Sequence, residues 1–378
     1  MTGPLAGIRV IELGGIGPGP FAGQQLADMG ADVVRVDRVE DVSGSDAAPE
    51  FLARGKRSVA VDLQSPAGAE LVLGLAARAG ILIEGFRPGV TERLGLGPRD
   101  CHARNPALVY GRMTGWGQYG PWASAAGHDI NYVGLTGALH AIGRAGQPPS
   151  VPLSLVGDLG GGAMYLVTGV LAALHEATRT GVGQVVDAAI VDGAAALMLP
   201  MYDLASVGEW RDERGTNLLD SGRPWYDVYR TRDGRWMSVG ALEDRFYVIF
   251  AGLLGLSPKE ADRSDPASWG RLRQCIADRF AERDREHWEK LFEGTDAYVA
   301  PVLSMAEAPA HRHMAARASF ASGTPAPAPR FGGHPGADPG PAPRAGEHTV
   351  EVLAGWLPAT ELDQLLAAGV VAQWPLGS

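Results

Sequence analysis

The sequence predicts an α/β fold, with a doubly wound parallel sheet followed by a smaller α+β domain. Three observations carry that reading. Short apolar runs of strand length alternate with helix-patterned stretches along the first half of the chain. The first two runs are joined through a Gly/Pro turn and a helix, and such a βαβ crossover makes its strands parallel. Past residue 224 the pattern changes to two runs joined by a tight-turn signal, and then to helices.

Taken in order, Ile8-Arg9-Val10-Ile11-Glu12-Leu13 reads as a buried strand. A turn covers 14–20, a helix covers 21–29 and ends at Gly30, and Asp32-Val33-Val34-Arg35-Val36 is the second strand. After Arg38 the chain is polar and irregular to Ala53, and Val59-Ala60-Val61-Asp62-Leu63 is the third strand. Ser65 and Pro66 have N-cap and first-turn character, so a helix over 66–79 is expected, stopped by Gly80. Ile81-Leu82-Ile83-Glu84 and Ala107-Leu108-Val109-Tyr110 are further strands, with Arg93 on a short helix between them. A loop rich in turn formers (115–122) then leads to a helix from Val133. A long apolar helix follows Asp158 and runs to about Ala177, Gln184-Val185-Val186-Asp187-Ala188 is a strand, and 192–204 is helical.

The stretch 211–224 is polar and reads as a linker. Two strands, 226–231 and 236–240, flank Arg232-Asp233-Gly234-Arg235, a hairpin signal, and helices dominate from there to about Phe320. Proline, glycine and alanine make 323–344 an extended connector, and 347–356 and 359–368 look like terminal helices. The expected division is a large domain over 1–205, a linker over 206–224, a small domain over 225–322, a connector over 323–345 and C-terminal helices over 346–378.

Composition bounds the function. With 378 residues, 46% apolar, the chain can build its core without disulfides or metals. Its two cysteines form no CxxC and no Cys/His cluster at ligand spacing, so no metal site is expected. The net charge of −10 argues against a nucleic-acid partner, and an anionic ligand would then need a local arginine cluster. The first residues lack the basic and apolar regions of a signal peptide, the last four are no peroxisomal address, and no apolar run reaches a membrane span. A cytoplasmic protein with no membrane partner is the expectation.

Gly17-Pro18-Gly19-Pro20-Phe21-Ala22 fits G-x-G-x-x-A after a strand, with Asp37 closing the next strand. On paper this is a dinucleotide fingerprint. Pro18 and Pro20 carry no backbone N–H, however, and a pyrophosphate cradle is made of such groups. A structural turn with close helix–strand packing is the better reading. Arg38, Arg87 and Arg93 lie at or just beyond strand C-termini, where doubly wound sheets bind ligands. Singly each is a solvated charge; together they suggest a phosphate-bearing ligand.

Gly127-His128-Asp129-Ile130-Asn131-Tyr132 packs an imidazole, a carboxylate, an amide and a phenol into six positions. Asp129 is placed to cap the following helix, which puts His128 at a helix N-terminus, where a neutral imidazole is favoured and can act as a base. A loop histidine with only structural work has the same local signature. Asp158 precedes Leu159-Gly160-Gly161-Gly162, and an N-cap aspartate would explain the carboxylate. It would not explain three glycines in a first turn, which fit a close approach by ligand or backbone.

These pieces together resemble the alpha-methylacyl-CoA racemase branch of the family III CoA-transferases. The residues carrying the resemblance are the Gly-Pro-Phe turn near residue 17, Val34-Arg35-Val36-Asp37-Arg38, Arg54-Gly55-Lys56-Arg57-Ser58, Glu84-Gly85-Phe86-Arg87-Pro88-Gly89-Val90, Met113-Thr114-Gly115-Trp116-Gly117-Gln118, residues 127–132, Gly157-Asp158 and Gly240-Ala241-Leu242-Glu243. They span almost the whole chain. The resemblance implies a Rossmann-like large domain, a small domain, a C-terminal return to the large one, and an obligate interlocked homodimer with shared active sites. It implies an isomerase acting on C2 of 2-methyl-branched acyl-CoA thioesters, with His128 and Asp158 as bases on opposite faces. Glu243 would serve the partner's site. Arg38, Val61, Asp62, Leu63, Gln64 and the stretch Gly127, Asp129, Ile130, Asn131 and Tyr132 would contact the acyl-CoA, and Arg87 and Arg93 are added here as phosphate partners. Neither a metal nor a separate cofactor is implied, coenzyme A being part of the substrate. The alternative within the family is a CoA-transferase in which Asp158 attacks the thioester and forms an acyl-aspartyl anhydride.

Overall fold

The structure is a computed structural model that describes residues 3–43, 51–334 and 340–375. Residues 376–378 and 335–339, the latter part of the expected connector, lie outside the described residues, as does 44–50 of the irregular segment. The chain divides into two compact units. The first comprises Met1–Thr136, Leu153–Leu197 and Pro327–Ser378; the second comprises Gly137–Pro152 and Met198–Ala326. Against the boundaries expected at 205 and 225, the second unit also takes in 137–152 and the helix Leu199–Ser206.

Among the described residues the first unit holds a seven-stranded sheet. β1 (Arg9–Leu13), β2 (Asp32–Asp37), β3 (Arg57–Val61), β4 (Ile81–Glu84), β5 (Val109–Thr114) and β6 (Val185–Ala189) lie parallel in the order β3-β2-β1-β4-β5-β6. A two-residue strand, Val371–Ala372, pairs antiparallel on the outside of β3 and was not legible as a strand. The central strands are apolar on both faces because helices cover both. Ile11, Leu13, Val34, Val36 and Leu82 pack on one side with Val72 and Leu75 of the helix Pro66–Ala76. Val10, Val33, Ile81 and Ile83 pack on the other, against Ala22 and Leu26 of the helix Pro18–Asp28 and Leu166 and Val170 of the helix Met164–Thr180. Winding reverses between β1 and β4, so a crevice opens at their carboxyl ends.

Several elements differ from expectation. The first helix starts at Pro18, inside the expected turn, because a proline at the first helical position gives up only an N–H that would be unpaired there. Helix Pro98–Arg104, with proline again at its start, was missed. The expected helix over 192–204 is two helices, Ile190–Leu197 and Leu199–Ser206.

The stretch before Met164 is a π-helix, Leu155–Ala163, and Asp158 lies within it, so this residue is no N-cap. The glycines there permit a backbone crossing: a Cβ on Gly161 would stand 2.5 Å from the backbone nitrogen of Ala194, and one on Gly193 would stand 1.8 Å from the Gly161 carbonyl. Leu155–Thr180 is therefore continuous over 26 residues, with an 18-residue window whose mean hydropathy is 1.4. By length and composition it could cross a membrane, which corrects the expectation that no run could; Leu166, Val167, Val170, Ala173 and Ala177 are its buried face.

The second unit carries an antiparallel sheet of β7 (Tyr226–Arg230), β8 (Trp236–Gly240) and β9 (Val299–Val302). The hairpin turn is closed by Thr231 N–H donating to the Arg235 carbonyl (2.9 Å), with Gly234 at φ +76°. β9 was read as part of a helical region. Its Pro301 suits an edge strand, where a missing N–H costs no ladder bond.

Candidate active site

A cavity of about 610 Å³ occupies the crevice at the carboxyl ends of β1, β4 and β5. Its walls are the turn after β1 (Gly15, Ile16, Gly17, Pro18, Gly19, Pro20), the loop after β4 (Gly85, Phe86, Arg87, Pro88), the end of β5 (Met113, Thr114, Gly115, Trp116), and Gly127, His128, Asn131, Tyr132 and Asp158. All belong to the first unit.

His128 and Asp158 thus line one cavity, and each is held by its own local device. His128 is exposed and is itself the N-cap of the helix Asp129–Leu135, in extended backbone, with its N–H donating to the side-chain oxygen of Asn131 (3.1 Å). The expected cap, Asp129, is instead the first helical residue. It is buried, and its Oδ1 accepts the backbone N–H of Asp158 at 2.7 Å. This bond ties the two segments together, and it needs Gly157: a Cβ there would stand 2.2 Å from Asp129 Oδ1. On the other side, a Cβ on Gly17 would stand 3.6 Å from Asp158 Oδ2, so the turn after β1 abuts the carboxyl group.

The Asp158 carboxyl is held above the usual aspartate range. Burial is the main cause and the neighbouring Asp129 charge adds to it; a hydrogen bond from the Ser154 side chain and the charge of His128 oppose it. Burial also raises the Tyr132 phenol, whose oxygen donates to the Gly127 carbonyl, with the Asp158 charge adding to the rise and Arg87 opposing it.

An aromatic ladder stiffens the wall. Trp116 meets Trp122 edge-on at 4.8 Å and Tyr132 at 4.7 Å. The Tyr132 ring fits only because residue 115 is glycine, whose Cβ would lie 2.1 Å from it. The loop carrying Arg87 is fixed from below. Buried Glu84 accepts the Phe86 N–H (2.7 Å) and pairs with Arg112 (2.8 Å), which also reaches Glu92 (2.8 Å). Burial pushes the Glu84 carboxyl up to about 6 against the pull of the Phe86 N–H and Arg112.

Of the residues singled out from sequence, Arg87, Gly127, His128, Asn131, Tyr132 and Asp158 meet in the cavity, and Asp129 supports it from within the fold. Ile130 is exposed and does not line the cavity. Arg38 follows β2, and Val61, Asp62, Leu63 and Gln64 end and follow β3, on the same carboxyl edge but outside the cavity. Arg93 is exposed on the one-turn helix Val90–Arg93. Glu243 is in the second unit, exposed, at the N-cap of the helix Asp244–Leu254. Of the methionines, Met113 lines the cavity and Met237 is core of the second unit. The Pro18-Gly19-Pro20 wall and Trp116 were not named as site residues, although the proline pair and the aromatic lead-in were visible signals. Among the described residues no group of three or more His, Cys, Asp or Glu side chains is placed to hold a metal.

A parallel sheet with an imidazole and a partly buried carboxyl group on one cavity at its switch point defines an α/β enzyme built for acid–base or acyl chemistry. The chain belongs to CoA-transferase family III, whose family model matches residues 5–349. It is 44% identical to the alpha-methylacyl-CoA racemase of Mus musculus, over 92% of this chain and 92% of that protein. To the Homo sapiens protein of the same name it is 43% identical over the same shares. Among solved structures it is similar to a CAIB/BAIF family protein from Brucella suis, with a TM-score of 0.80 and 25% identity over 94% of this chain and 100% of that one.

Proposed function

We propose that the chain is an isomerase that inverts C2 of 2-methyl-branched acyl-CoA thioesters by proton transfer through an enolate. His128 removes the C2 proton from one face, and protonated Asp158 delivers a proton to the other. In the reverse direction the two exchange roles. One base on each face is the least that direct inversion requires. The carrying observation is that both groups line one cavity while burial and the Asp129 charge raise the Asp158 carboxyl above its ordinary value. The backbone N–H of Asp129, at a helix start, is the donor assigned to the enolate oxygen.

Coenzyme A would lie along the carboxyl edge of the sheet. Arg87 sits in the cavity wall, and Arg38, Val61, Asp62, Leu63 and Gln64 follow the two strands beyond β1, with Arg93 as a further phosphate partner. The names of the racemase relatives support the substrate class. The active form is proposed to be an interlocked homodimer in which Glu243 of one subunit orients His128 of the other.

The test is exchange of the C2 hydrogen of a 2-methylacyl-CoA in deuterated water. Asp158→Ala should slow uptake by orders of magnitude; near-normal racemisation in that variant would remove the two-base scheme. Hydroxylamine separates this reading from CoA transfer: an acyl-Asp158 intermediate would be trapped as a hydroxamate, and the isomerase yields none.

A further inference from the structure

The helix Pro18–Asp28 opens beside the Asp158 carboxyl, and its opening residues are unusual. Gly17 is its N-cap, with φ +70°, and the Cβ position of Gly17 lies 3.6 Å from Asp158 Oδ2. Pro18, Gly19 and Pro20 are its first three helical residues, and they line the same cavity as Asp158. A carboxylate at a helix start normally gains from the free N–H groups of the first turn. Here two of those three groups do not exist, because proline has none.

The opening turn is also firmly held. Lys56 Nζ donates to the Pro20 carbonyl (2.8 Å) and pairs with Glu12 (2.6 Å), and both charged side chains are fully buried. Glycine at position 23 makes room for that pair, since a Cβ would lie 1.8 Å from Glu12 Oε2. The Pro20 end of the turn is thus tied to a buried ion pair.

We propose that Pro18 and Pro20 are positioning residues that act through Asp158: by withholding first-turn N–H groups from its carboxylate, they keep it in the proton-donating form that inversion needs. The inference rests on the isomerase reading and deepens it, because a nucleophilic aspartate would profit from those same donors. The other groups facing Asp158 are Asp129, which disfavours its ionisation, His128 and the Ser154 hydroxyl, which favour it, and Tyr132. The aligned peptide dipoles of the helix remain, so the prolines remove only the hydrogen-bonding part of the helix effect.

The experiment replaces Pro18 and Pro20 by alanine, singly and together, which restores the N–H groups in residues suited to a helix. Pro66→Ala, at the start of a helix that does not line the cavity, controls for the general effect of losing a first-turn proline. The first readout is the carbon NMR titration of the Asp158 carboxyl in the free protein, assigned by its loss in Asp158→Asn. The double variant should lower the midpoint by about one pH unit, the size expected of donors at a helix start. Each single variant should give part of that shift, and Pro66→Ala none. The second readout is C2 exchange, whose acid limb should move down by the same amount. An unchanged Asp158 midpoint in folded Pro18→Ala and Pro20→Ala proteins overturns the inference. Absence of C2 exchange in the wild type, with the titration shift present, would instead overturn the isomerase reading and leave the proline effect standing.

Discussion

Asp129 does two things to Asp158. It accepts that residue's backbone N–H, and its charge helps keep the neighbouring carboxyl protonated. Substitution by asparagine separates the two, because the amide oxygen still accepts the bond while the charge is gone. For inversion in either direction the site must begin with one proton shared between His128 and Asp158. Activity should then follow a bell-shaped pH profile, the same for both substrate configurations because equilibrium links the two directions, with limits that belong to the pair. Removing the Asp129 charge makes ionised Asp158 easier to form, so its pKa falls. The acid limb of kcat/KM should move to lower pH in Asp129→Asn, with the alkaline limb less affected; a pH series on both configurations checks this. A limb that moves upward would mean that Asp129 does not act by its charge.

The π-helix Leu155–Ala163 is the element that presents Asp158, and it is held by contact with the helix Ile190–Leu197. A side chain at Gly193 would have to push the two apart, since its Cβ meets the Gly161 carbonyl at 1.8 Å. Gly193→Ala is expected to cost about 1–3 kcal/mol, as overpacking does, and to lower activity by shifting Asp158. Gly74→Ala is the contrast. Gly74 sits in the helix Pro66–Ala76 with nothing within 4 Å of its would-be Cβ, so the change should be neutral or gain up to about 1 kcal/mol in helix propensity. Urea midpoints of both variants measure the difference. Element types were legible wherever periodicity was strong, as in the six parallel strands. The π-helix was not: its bond pattern is set by a neighbouring helix, and no residue preference announces it. Strand Val299–Val302 was hidden for a similar reason, because four residues containing a proline carry little signal until a partner strand is present.

At the scale of the whole molecule, the chain forms two compact units, and the cavity belongs to the first. The proposed use of Glu243 by a second subunit makes a prediction about mixtures. Glu243→Ala and His128→Ala proteins should each be impaired alone. Co-expressed, they should recover activity, because one site of a mixed dimer then holds both intact residues. Recovery no greater than the sum of the separate proteins would remove Glu243 from the partner's site.

The residue string alone carries the parallel sheet, the helix starts marked by proline and serine, and the set of chemical groups at 127–132 and 158, because strand periodicity, capping and turn chemistry act over a few neighbouring positions. It also raises the doubt about nucleotide binding at Pro18 and Pro20, since a missing N–H is a covalent fact. It does not show that the same prolines line one cavity with Asp158, that Asp129 supports Asp158 and does not cap its own helix, or that burial raises the Asp158 carboxyl above its ordinary value. Those depend on segments far apart in the chain meeting through space, and only the packed fold decides which charge, which N–H and how much water each group meets.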